Sequence, residues 1–442
     1  MGYSSPIRRL ARSGWSPGRA VLIAAMLTLA LLIVSAFSGT PATAASRHAK
    51  LPPAVPSHIN DTSPAGLDSF ILTRMEAAHV PGLAACVVYK GHIVWAKGYG
   101  WANIEEGRRV TPDTDFMLAS VSKTFVATAA MQQVEAGHLD LFADVNTYLP
   151  FSVRNPAHPN DPITLFQLLT HTSSIQDYRL WEYTYGSDSE IALRDYCAGY
   201  LLPGGAYYNE RDYYSYAPGA RCAYSNMGAS LAALVVEEAT ETPFDSYCDD
   251  HIFAPLGMNQ TSWKLAGLDP RTLAMPYRYG TGLYVPYGHY GYPDYPDGQL
   301  RTSVSQLGRF LALCMNGGSY RGVRLLEEAT VTQMLTPQIG PLDPTQGLIW
   351  YWEGDLIGHS GGDKGVTTHM FYDPATGAGV ILLANRLVGS ALLIIRSRLL
   401  EEAPNFKRGG TPSGRGWGRG GVSGSDAFPV QITSEGSYAR TR

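Results

Sequence analysis

The sequence predicts an α/β (α+β) fold: an antiparallel sheet flanked by helices, with a helical subdomain inserted between its strands. Three observations carry this. Strand-like runs lie near both ends, over 83–96 and 348–384. Helix-period apolar patterns and long loops fill the chain between them. No repeat recurs at a fixed period, so strands from the two ends are expected to share one sheet.

The elements follow in order. Ser63-Pro64 can cap a helix containing Leu67, Phe70, Ile71 and Met75. Leu83–Tyr89 and Ile93–Ala96, joined through Lys90-Gly91, read as a hairpin. Gly98-Tyr99-Gly100 leads toward a third strand. After Asp113–Ala119, the residues Val126, Ala129, Met131, Val134 and Leu139 recur at helical spacing, and Gly137 marks the end. Short helices are expected at Thr164–Thr170, Gly228–Thr240, Leu300–Met315 and Leu325–Leu335. Two Tyr/Gly-rich loops, 176–219 and 276–297, are expected to flank the cleft, with Tyr213 and Tyr214 contacting substrate. Strands return at Leu348–Trp352, Thr367–Tyr372 and Gly379–Ala384, before a closing helix at Leu392–Leu400.

The chain has 442 residues, 45% hydrophobic, with a net charge of -4. That supplies a large core and no basic surface, which excludes nucleic acid as a partner. Arg8, Arg9, Arg12 and Arg19 precede an apolar run over 20–37, and Ala42-Thr43-Ala44 follows. This order is that of a signal peptide over 1–44. Uncleaved, the same run would anchor the protein to a membrane. The protein is therefore expected to be exported. A linker over 45–63, a hydrolase domain over 64–403 and a disordered Gly/Arg/Ser-rich tail over 404–442 complete the organisation. In an exported chain Cys197, Cys222 and Cys248 can furnish one disulfide, while Cys86 and Cys314 sit in apolar segments and read as buried thiols. The cysteine and histidine spacing implies no metal site, and no cofactor is expected.

Three patches carry chemistry. Ser120 and Lys123 lie one helical turn apart at a helix start, so both face one side. A serine hydroxyl needs a base, which a lysine with a lowered pKa can supply, and the helix N-terminus offers N–H groups to an oxyanion. Tyr224 can share the proton transfer, and Asn226 can orient a carbonyl compound. His359, Gly361 and Gly362 read as a polar β-strand edge where a substrate backbone can approach closely, with an N–H near Gly362 as second oxyanion donor. Read alone, each patch is also compatible with a turn or a helix cap.

With Val80-Pro81-Gly82, Pro112-Asp113-Thr114, the Leu168–Ser173 run (LLTHTS), Pro255-Leu256-Gly257-Met258 and the Gly298–Ser303 run (GQLRTS), these patches occur in an order that resembles the serine β-lactamase-related family. That family comprises class C β-lactamases, D-alanyl-D-alanine carboxypeptidases, D-aminopeptidases and related esterases. The resemblance covers roughly Leu67 to Arg386. It implies Ser120 as acylated nucleophile, Lys123 and Tyr224 as shared base, and Asn226, His359, Gly361 and Gly362 as substrate-binding. It also implies a sheet domain and a helical domain with the cleft between them, acting on a small-molecule or peptide substrate. Two departures stand out. His359 takes the place of the class C lysine, as in the peptidase and esterase branches, which argues for weak or no β-lactamase activity. Ser174 stands where many relatives have glycine.

Gly358–Gly362 also fits the G-x-S-x-G elbow of α/β-hydrolases, with Ser360 as nucleophile, but the short remaining chain leaves no room for the acid and histidine that must follow. The remaining alternative is a non-catalytic protein that binds or senses a ligand on this fold.

Overall fold

A computed structural model describes residues 64, 66–180 and 183–406. The expected leader, the linker and nearly all of the tail fall outside them. Strands from both ends do share one antiparallel sheet. In chain order these are β1 (Gly82–Tyr89), β2 (His92–Asn103), β3 (Arg108–Arg109), β4 (Tyr351–Glu353), β5 (Leu356–Asp363), β6 (Val366–Asp373) and β7 (Ala378–Ala384). Their spatial order is β4-β5-β6-β7-β1-β2-β3. β1 joins the two ends of the chain by pairing with β7, Cys86 opposite Ile381. Lys90 and Gly91 turn the β1–β2 hairpin, both at positive φ (50° and 69°), the conformation a two-residue hairpin turn requires. Gly98-Tyr99-Gly100 belongs to β2 rather than to a separate strand.

Alternation along β1 serves two layers. Leu83, Ala85 and Val87 pack beneath α1 (Leu67–Ala77), which starts at Gly66 rather than at a Ser63 cap, and α8 (Ala391–Glu402). Ala84, Cys86 and Val88 face the opposite core. A strand covered on both faces reads as an unbroken apolar run. Residues Ala403–Asn405 form a 3₁₀ turn and Phe406 packs on Trp95 at 5.2 Å, so the domain continues past the expected boundary at 403.

The chain between β3 and β4 holds the helical part: α2 (Lys123–Glu135), α3 (Leu165–Leu169), α4 (Leu193–Leu201), α5 (Asn226–Thr240), α6 (Val304–Met315) and α7 (Glu328–Leu335). α2 is buried at every position from Lys123 to Met131. Such a helix is enclosed by protein, not amphipathic as its spacing suggested. Phe125 stacks on Phe310 of α6 at 3.9 Å and fixes it to the sheet side. All five cysteines are free thiols. The expected pair is absent because Cys197 and Cys248 are each buried in a separate helix, and Cys222 instead faces the Thr170 carbonyl.

Candidate active site

Ser120 lies in a 3₁₀ turn, Ala119–Ser122, that runs straight into α2. Ala119 before it has φ 46°, a left-handed conformation that costs a residue with a Cβ about 1–3 kcal/mol. Its neighbours hold it there. Leu118 N donates to Leu300 O at 2.8 Å, and Thr368 Oγ1 of β6 donates to Leu118 O at 2.6 Å. The first N–H groups of the turn lack intrahelical acceptors, and Ser120 N is among them.

Lys123 is fully buried. Its Nζ donates to Ser120 Oγ at 3.1 Å and to the Asp297 carbonyl at 2.5 Å, and lies 5.1 Å from the Tyr224 ring centre. Burial alone would lower its pKa, but Tyr224, Asp297 and Asp177 outweigh it, and the ammonium lies above its usual value. The sequence expectation of a lowered lysine is therefore corrected: Lys123 is held charged.

Tyr224 precedes α5, half exposed. The segment after it is fixed from two sides. Asp177 accepts from Asn226 N at 2.7 Å, Met227 N at 3.0 Å and Ser225 Oγ at 3.1 Å. His171 Nδ1 accepts from Ser225 N at 3.2 Å, which puts its ring proton on Nε2, and its ring lies 4.4 Å from that of Tyr224. Asn226 is the first residue of α5, with Ser225 as its N-cap.

On the far side, His359 lies in β5 with its ring 6.3 Å from Tyr224. Its Nδ1 donates to the Ser360 carbonyl at 2.6 Å, leaving a bare, buried Nε2. Burial, then the Lys123 charge, holds His359 down to about 3. His171 is likewise held to about 3, first by burial and then by Lys123 and His359. Both imidazoles are neutral. Gly361 brings β5 against the Ser120 turn, and Gly362 lies exposed beyond it. The structure thus brings Ser120, Lys123, Tyr224, His359 and Gly361 together, with Gly362 next in β5 and Asn226 two residues beyond Tyr224. Ser360, by contrast, lies in mid-strand opposite His369, not on a strand-to-helix elbow.

Sequence reasoning missed His171, Asp177 and Asp297. The first lies in a motif that was noted without a role. Tyr213 is also corrected: it is buried, with its hydroxyl on the Leu201 carbonyl, while Tyr214 stacks on Tyr216. Tyr290 and Tyr292, with Tyr183 against them, pack on Ala119 instead. Ser174 keeps a glycine-like φ of 63°, its hydroxyl accepting from Asn155 at 2.9 Å.

Asp297 is pushed up to about 7 by burial, with the Lys123 ammonium pulling the other way. A carboxyl raised on folding stabilises while protonated, and that contribution fades as pH rises toward the raised value. Replacing Asp297 with Asn removes the titration. The thermal midpoint of Asp297→Asn minus that of wild type is expected to grow from pH 4 to about 7 and then level off. A difference that stays flat with pH would contradict the assignment.

A serine with a charged lysine on its hydroxyl, beside an antiparallel sheet with a helical insert, defines a protein of the β-lactamase fold. The family model described as Beta-lactamase matches residues 67–403, and the chain belongs to that family. Among curated relatives it is similar to Protein flp of Staphylococcus aureus strain MW2, 24% identical over 324 residues. That alignment covers 72% of this chain and 62% of that protein, so the chain spans less than two thirds of that relative's length. It is also similar to Esterase EstB of Burkholderia gladioli, 33% identical over 223 residues, 49% of this chain and 55% of that one. Among solved structures, the octameric penicillin-binding protein homologue from Pyrococcus abyssi aligns with TM-score 0.58 and 27% identity over 72% of this chain and 73% of that one. The D-amino acid amidase from Ochrobactrum anthropi aligns with TM-score 0.61 over 77% of this chain and 99% of that one, at 21% identity, and shares the fold.

Proposed function

We propose that this protein is a serine hydrolase of peptidase or esterase type that forms an acyl-enzyme at Ser120 on ester or amide substrates, with weak or no β-lactamase activity. The observation that carries the reading is the buried Lys123 ammonium 3.1 Å from Ser120 Oγ. Because Lys123 is held charged, Tyr224 acts as its phenolate, takes the Ser120 proton and becomes the phenol, while the ammonium stabilises first that phenolate and then the developing alkoxide. Ser120 Oγ bonds to the substrate carbonyl carbon, and the oxyanion accepts from Ser120 N and Gly362 N. Collapse breaks the bond to the alcohol or amine, which leaves with the proton from Tyr224. Water then repeats the sequence and releases the acid. Asn226 orients the acyl group beside Tyr224.

Neutral His359 leaves no cation where class C β-lactamases carry lysine, so a penicillin carboxylate lacks its counter-charge. The missing charge-assisted bond is worth about a hundredfold. Accordingly kcat/KM for p-nitrophenyl butyrate is expected to exceed that for benzylpenicillin by at least about a hundredfold. Equal or greater efficiency on the penicillin would overturn the esterase or peptidase assignment. The basic, apolar and small-residue order of 1–44 supports export, with membrane association if that segment is retained.

A further inference from the structure

We infer that Tyr351 closes one half of the substrate-pairing edge of β5, restricting this enzyme to acyl donors whose leaving group is an alcohol or amine no longer than about one residue. The inference rests on the acyl-enzyme reading above and adds a substrate class to it.

β5 is paired with β6 from Ile357 to Asp363. On its other side β4 covers only Leu356–Gly358. Main-chain groups of a strand alternate between its two edges. Ser360 N donates toward the β4 side, to Tyr351 Oη at 3.1 Å, so Gly358, Ser360 and Gly362 share that edge. Gly358 is opposite Tyr351 in the β4 ladder. Ser360 has no N–H left for a substrate, since Tyr351 takes it, and His359 Nδ1 already donates to its carbonyl at 2.6 Å. Tyr351 Oη is also 2.8 Å from Ser360 Oγ. Gly362, exposed, keeps both its N–H and its carbonyl available along the edge.

An acyl residue whose carbonyl oxygen accepts from Gly362 N forms an antiparallel narrow pair there, exchanging its own N–H with Gly362 O. In that register the first residue of the leaving group lies opposite Gly361 and the second opposite Ser360. The second residue therefore finds both Ser360 groups engaged and the Tyr351 ring in its path. That ring is 5.1 Å from His359, inside the cleft wall. Backbone groups of a longer leaving group would lose their hydrogen bonds to water without replacement, which disfavours it.

The test uses two esters of one acid: ethyl butyrate, and butyrate esterified to glycolyl-alanyl-alaninamide. Differences in intrinsic leaving ability cancel when the ratio of their kcat/KM values is compared between variants. Tyr351→Ala is expected to raise the depsipeptide-to-ethyl ratio at least about tenfold over wild type. Tyr351→Phe keeps the ring but frees Ser360 N, and is expected to raise it about threefold. If Tyr351→Ala fails to fold, Tyr351→Phe carries the test. Ratios within about twofold of wild type in the folded variants, with Ser120 still labelled by a fluorophosphonate, would sink the inference and leave the acyl-enzyme reading standing. A folded wild type that takes no fluorophosphonate label at Ser120 would remove the reading on which both depend.

Discussion

Alanine at Ser120 is expected to lower kcat/KM on p-nitrophenyl butyrate by about 10⁴-fold or more, with the fold intact. Removing a nucleophile that works as a unit with its base typically costs this much, because the residual activity comes only from binding and oxyanion stabilisation. Lys123 shows why no neighbouring hydroxyl can stand in. Its ammonium is committed to Ser120 Oγ and to the Asp297 carbonyl, so the charge that stabilises an alkoxide is aimed at one oxygen. Ser360, the serine of the rival G-x-S-x-G pattern, is instead bonded to Tyr351. Ser360→Ala is expected to cost no more than about tenfold. Kinetics on the two variants side by side decide the matter: a large loss in Ser360→Ala with retention in Ser120→Ala would reverse the assignment.

The second large effect belongs to a glycine. A methyl group at Gly361 would collide with the Leu118 carbonyl and Thr368 Oγ1, and stand 2.9 Å from Ser120 N. Two of those atoms are backbone and the third is bonded to Leu118, so none can swing aside. Gly361→Ala must push β5 away from the Ser120 turn, separating the two N–H groups that face the oxyanion. Loss of one such donor costs about 10²–10³-fold, and the overpacking about 1–3 kcal/mol of stability. Gly362 is the control. A methyl there meets only Leu387 Cδ1, at 3.2 Å, on an exposed side chain that can move. Gly362→Ala is expected to stay within about tenfold of wild type in kcat/KM, with little change in unfolding temperature. Equal activity in both variants would mean that close approach at Gly361 is not needed.

The parts of the fold that were legible are those whose pattern and burial agree. β1 and β7 are apolar runs buried on both faces, and the Lys90-Gly91 turn between β1 and β2 has the residues such turns require. β5 was not legible by alternation, since Gly358, Gly361 and Gly362 give it none; a strand edge was expected there only from the polar residues followed by glycine. The run Leu348–Trp352 predicts one strand, but Ile349 sits at φ 67°, and the ladder begins only at Tyr351. The apolar pattern predicts a helix from Leu300, but it starts at Val304, because Arg301 and Thr302 pair with Met117 and Phe116.

Within the site, Ser120 and Lys123 were visible because one helical turn sets their distance. The charge state of Lys123 was not, because the groups that hold it charged, Tyr224, Asp297 and Asp177, all lie more than fifty residues away. Asp177 and His171 escaped for a related reason. They act through the main chain of Ser225, Asn226 and Met227, and a hydrogen bond to backbone leaves no residue-type signature in its partner. Tyr351 is the extreme case, since its role depends on where β4 stops.

Intact-mass spectrometry of the folded protein and of Ser120→Ala, each treated with a fluorophosphonate and with p-nitrophenyl butyrate, tests the central claim most directly. The account predicts a single phosphonyl adduct and a transient butyryl adduct on wild type, both mapping to Ser120 and both absent from Ser120→Ala. Adducts of equal stoichiometry on Ser120→Ala, or none on wild type with either reagent, would contradict it.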